Sequence, residues 1–71
     1  MKASEVIKHE LPKLTAELEA KGYLVKTFEK SGQINVYLSG QVFIYYVTTG
    51  RIVMHKERGF SAFLKLLEEN K

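Results

Sequence analysis

The sequence predicts an α+β fold of 71 residues in which a helix, a four-stranded antiparallel β-meander and a second helix follow one another. Three observations predict it. Ile7, Leu11, Leu14 and Leu18 alternate spacings of four and three, the stripe of one helical face, with Lys and Glu filling the other side. After Gly22 the pattern changes to short β-rich runs separated by Ser31-Gly32, Ser39-Gly40 and Thr49-Gly50, each a hairpin signal. Phe60, Phe63, Leu64 and Leu67 then form a second helical stripe.

In the first helix Ser4 is the expected N-cap, and Lys21-Gly22 the expected end, with Gly in the left-handed position. Pro12 removes a helical hydrogen bond and clashes with the carbonyl four residues back, so a kink or break is expected near residues 8–12. The four strands are expected at about 23–30, 33–39, 41–48 and 51–56. Their short connections force neighbours antiparallel in the order 1-2-3-4. Ser61, after Gly59, is the expected N-cap of the second helix. With no internal repeat or linker, residues 1–71 read as a single domain.

If each hairpin closes with a two-residue loop, the pleat assigns side chains to faces. One face collects Val25, Thr27, Ile34, Val36, Leu38, Phe43, Tyr45, Val47, Ile52 and Met54. Both helices are expected on this apolar face, making a two-layer sandwich. The outer face then carries Leu24, Lys26, Phe28, Lys30, Asn35, Tyr37, Val42, Ile44, Tyr46, Arg51, Val53 and His55. It is too apolar for plain solvent, since soluble monomers seldom expose a contiguous apolar patch beyond a few hundred Å². Phe28, Tyr37, Ile44, Tyr46 and Val53 are therefore the expected partner-binding residues.

Composition narrows the function classes. A chain that is 45% hydrophobic and 27% charged, with one proline, is globular rather than disordered. The absence of cysteine excludes disulfides and Cys-based zinc sites, fits a reducing compartment, and leaves a small chain relying on packing or a partner subunit. The amphipathic start and the lack of an apolar run near 20 residues give no sign of a secretory signal or membrane span, so the expected location is cytoplasmic. Net charge is +3, which permits nucleic-acid binding without the dense basic footprint of a dedicated binder. Residues 51–71 hold five of the eleven cations against three Glu.

Catalytic options are few. There is no Cys, Asp or Trp, and no Walker loop, dinucleotide fingerprint or HExxH pattern, so no small-molecule cofactor and no metal are expected. His55, with Glu57, Arg51, Arg58 and Tyr46 near it in the hairpin register, forms the one constellation suited to acid–base work, that of a small ribonuclease-like toxin. A lone strand-end histidine beside charges is more often solvated, and the pattern leans away from an enzyme. For single-stranded nucleic acid, Phe28, Tyr37 and Tyr46 supply stacking platforms, with Lys26, Lys30, Arg51, His55, Lys56 and Arg58 as contacts to phosphate. Val42, Ile44 and Val53 suit a protein interface better. The first expectation is thus a non-enzymatic interaction module, homodimeric through the outer sheet face and binding a macromolecular partner there, such as a protein that it inhibits.

The opening Met1-Lys2-Ala3-Ser4-Glu5-Val6-Ile7-Lys8 resembles that of HicA-type mRNA-cleaving toxins, which are similar small α-β-β-β-α domains. The resemblance covers eight residues. The strand-borne Gly-Ser-His segment that carries the toxins' histidine is missing, so neither activity nor site residues carry over.

Overall fold

The computed structural model describes residues 2–71; Met1 lies outside the described residues. The elements are α1 (Ala3–Ala20), β1 (Leu24–Phe28), β2 (Gln33–Leu38), β3 (Gln41–Tyr46) and α2 (Phe60–Glu69), in an α+β arrangement with antiparallel sheet order β1-β2-β3.

Leu11, Leu14 and Leu18 bury the inner face of α1. Helix α1 begins two residues earlier than a Ser4 cap implies, with Lys2 at the N-cap and no side-chain cap. Nor does it break at Pro12. Burying three leucines is worth roughly 1.5–3 kcal/mol each, which outweighs the ~3 kcal/mol an interior proline costs. The helix stops at Gly22, where φ is +91°. Gly22 donates to the Glu19 carbonyl at 2.9 Å and Tyr23 to the Leu18 carbonyl at 3.2 Å, a Schellman closure that carries Tyr23 into the core beside Leu18.

Two of the three hairpin loops are longer than their Gly signals imply. Phe28 pairs with Gln33, and the Tyr46 amide bonds to the Arg51 carbonyl at 3.0 Å, so four residues close each turn. Each register is therefore displaced by two positions, which leaves the side chains of the paired residues on their expected faces because the pleat repeats every two residues. Val25, Thr27, Ile34, Val36, Phe43 and Tyr45 share the inner face. Both helices cover it: the core joins Leu11, Leu14 and Leu18 of α1 to Ile34, Val36, Phe43 and Tyr45, and these to Phe63 and Leu67 of α2. Tyr45 stacks on Phe63 with ring centroids 5.1 Å apart.

The expected fourth strand over 51–56 is absent, and the sheet has three strands. What remains is a bridge between Tyr45 and Ile52, with the Val53 amide donating to the Ile44 carbonyl at 3.0 Å. Ile52 is buried. Met54, expected in the core, is 93% exposed and left-handed at φ +68°, and the His55 amide turns back to the Ile52 carbonyl. The reason lies in the alternation. A strand continued to residue 56 would place Lys56 on the inner face with Ile52 and Met54, where an unpaired ammonium is costly. Gly59, rather than Ser61, occupies the N-cap of α2.

Burial first, and then the nearby Glu10 carboxylate, hold the Tyr45 hydroxyl above the ordinary tyrosine value of about 10. Its neutral form thus favours the fold, fully so below about pH 10 and decreasingly as pH climbs through the raised folded-state value. Urea midpoints measured between pH 9 and pH 11 are expected to fall, and Tyr45→Phe to remove part of that fall. An unchanged fall in Tyr45→Phe would assign it to other groups.

Candidate binding face

The helices leave the opposite face of the sheet bare. Cross-strand pairing arranges it in three rows: Phe28–Gln33–Tyr46, Lys26–Asn35–Ile44, and Leu24–Tyr37–Val42. The bridge segment extends the first row to Arg51 and the second to Val53. The rows differ in chemistry. Leu24, Tyr37 and Val42 form an apolar end in which Leu24 is 70% exposed. The opposite end alternates aromatic, amide, aromatic and guanidinium groups.

That polar end is internally ordered. The Tyr46 hydroxyl donates to Gln33 Oε1 at 3.3 Å, and Gln33 Nε2 donates to Asn35 Oδ1 at 2.7 Å. Lys26 Nζ lies 5.4 Å from the centre of the Phe28 ring. The chain holds Tyr46 and the two amides in a fixed array, with donors and acceptors left for a partner.

No carboxylate lies on the three rows. Between the helices, residues 22–59 carry five cations against two Glu, whereas α1 with its caps Lys2 and Lys21 balances four Lys against four Glu, and α2 with Lys71 balances two against two. The net positive charge therefore gathers between the helices, in Lys26, the β1–β2 turn and the loop from Arg51 to Arg58. Such a field favours an anionic partner and opposes the approach of a second basic face.

The sequence-expected residues divide accordingly. Phe28, Tyr37, Ile44 and Tyr46 share the outer face, with Val53 and Arg51 beside β3. Lys30 lies in the β1–β2 turn instead of on a strand, and His55, Lys56 and Arg58 lie in the loop before α2. His55 lines a recess against α2 with Glu57, Lys65 and Glu69, while Tyr46, Arg51 and Arg58 line a different one. The acid–base constellation expected around His55 is thus split between two recesses. Gln33, Thr48 and Thr49 were not singled out by the sequence; only the alternation that puts Gln33 in line with Phe28 and Tyr46 pointed toward the first of them.

No group of three or more His, Asp or Glu side chains suited to a metal ion occurs among the described residues. No helix among them is long and apolar enough to cross a membrane. Comparisons with protein-family models, with curated proteins and with solved structures give no match.

Proposed function

We propose that the chain is a non-enzymatic binding module that takes up single-stranded nucleic acid on the open face of its sheet. The observation that carries this reading is the row Phe28–Gln33–Tyr46–Arg51, which sets stacking rings, base-edge amides and a phosphate contact in line on a face without carboxylates. Base–aromatic stacking tolerates any base and is worth about 1–3 kcal/mol per base. Two rings therefore supply useful affinity without sequence readout. Lys26 and Lys30 add backbone charge at the β1 side.

The test is a fluorescence-anisotropy titration of the intact protein with a labelled unstructured oligonucleotide. Tyr46→Ala and Phe28→Ala are each expected to weaken binding by roughly 5- to 100-fold while leaving the urea midpoint nearly unchanged. Equal binding by wild type and both variants would refute the stacking role.

A protein interface is the second reading, and the apolar row Leu24–Tyr37–Val42 favours it. Three strands about 4.8 Å apart and five or six residues long present a projected area of roughly 300 Å². Stable interfaces bury about 800 Å² of accessible surface per partner, so even with side-chain relief this face alone supports only a weak homodimer. On this second reading Ile44→Lys, in the centre of the face, abolishes self-association seen by light scattering without unfolding the chain. On the nucleic-acid reading the protein is monomeric and the same variant binds the oligonucleotide at least as well.

A further inference from the structure

The loop before α2 returns to the sheet and pairs Arg51 directly with Arg58 in an antiparallel bridge. Like charges opposite one another destabilise a β-pair, and among the described residues neither arginine has an ion-pair partner. The backbone nevertheless enforces the pairing. The Gly59 amide donates to the Gly50 carbonyl at 2.7 Å, and both glycines are left-handed, at φ +97° and +73°. A Cβ on Gly50 would sit 3.3 Å from the Gly59 nitrogen and in a left-handed conformation, so a side chain there would strain the closure. Arg51 is held further by its amide, which donates to Thr49 Oγ1 at 3.3 Å.

The two arginines line one shallow pocket of about 370 Å³ with Thr48, Thr49 and Tyr46. No carboxylate lines it; the nearest in sequence, Glu57, faces the recess against α2. A guanidinium fork matches phosphate oxygens bidentately, and two forks plus threonine hydroxyls offer a surplus of donors with no anion to take them. An internal phosphodiester brings one negative charge, whereas a phosphate monoester brings about 1.5–2 at neutral pH. Two cations in one pocket match the monoester better.

We propose that the Arg51–Arg58 pocket is a phosphomonoester site that seats the terminal phosphate of a bound strand, whose first bases then lie over Tyr46 and onward toward Phe28. The strand is part of the reading given above; the phosphate pocket is testable apart from it. The experiment compares one oligonucleotide carrying a 5′-phosphate, a 3′-phosphate or hydroxyls at both ends, on wild type, Arg58→Gln and Arg58→Lys, alongside an NMR titration with inorganic phosphate. Wild type is expected to prefer one phosphorylated end by about tenfold or more, and Arg58→Gln to lose that preference while keeping its amide spectrum. Arg58→Lys, which keeps charge without the fork, should retain only part of it. Inorganic phosphate should shift the Thr48, Thr49 and Arg51 amides in wild type and not in Arg58→Gln. Phosphate-dependent shifts without oligonucleotide binding would sustain the pocket and end the strand reading. Oligonucleotide binding indifferent to terminal phosphate would overturn the pocket and leave the strand reading standing, and an absence of both would overturn each.

Discussion

Phe63→Ala is expected to lower the unfolding free energy by about 3–5 kcal/mol at 25 °C. Phe63 has no exposed surface, stacks on Tyr45 at 5.1 Å and tilts against Phe60 at 6.5 Å, so together with Phe60, 5.8 Å from Tyr45, it holds α2 on β3. Truncating a buried phenylalanine costs about 3–5 kcal/mol, transfer and cavity terms together. A domain near 70 residues has a total stability of roughly 3.5–11 kcal/mol at the usual 0.05–0.15 kcal/mol per residue. The loss is therefore a large share of the margin. Urea unfolding followed by circular dichroism checks it, with Leu24→Ala as the exposed control expected within about 0.5 kcal/mol of wild type. A cost below about 1 kcal/mol at Phe63 would contradict the placement of α2 over Tyr45.

The second large effect concerns salt. If Lys26 and Lys30 each neutralise one phosphate charge and Arg51 and Arg58 together neutralise the roughly two of a terminal monoester, the logarithm of the binding constant falls with the logarithm of salt concentration at a slope near −2.8, taking about −0.7 per neutralised charge on a single strand. Between 50 and 200 mM salt, affinity then drops about 50-fold. Removing Lys26 should flatten the slope by about one contact, and removing an aromatic ring should lower affinity without altering it. A near-zero slope is the mark of an apolar protein contact. Binding that ignores salt would therefore move the function to the Leu24–Tyr37–Val42 end.

The two helices, three of the strands and the division of side chains between faces were legible in the sequence because they rest on periodicity. That division is robust for a specific reason: the loops around Ser31-Gly32 and Thr49-Gly50 run two residues longer than a tight hairpin, and a shift by two preserves the face. The segment after Ile52 was misread as strand because Val53 and Met54 suit one locally. What decides against it is nonlocal: Lys56 would share the inner face, and Gly59 must reach Gly50 before α2 can begin. The sequence placed Arg51 and Arg58 near each other around His55, but not their direct pairing. Arg51 and Arg58 are seven positions apart, and only closure of the intervening loop makes them neighbours. The trace of the bridge itself in the sequence is the flanking glycine pair, Gly50 before Arg51 and Gly59 after Arg58.

The most direct test of the open sheet face as the binding surface is an NMR titration of the labelled protein with a short unstructured oligonucleotide, read at side chains. The expected result is that the Gln33 and Asn35 side-chain amides and the Phe28 and Tyr46 ring signals shift together and saturably, while signals from the exposed side of α1 stay in place. Shifts confined to the helical layer, or no shifts at any residue, would contradict it.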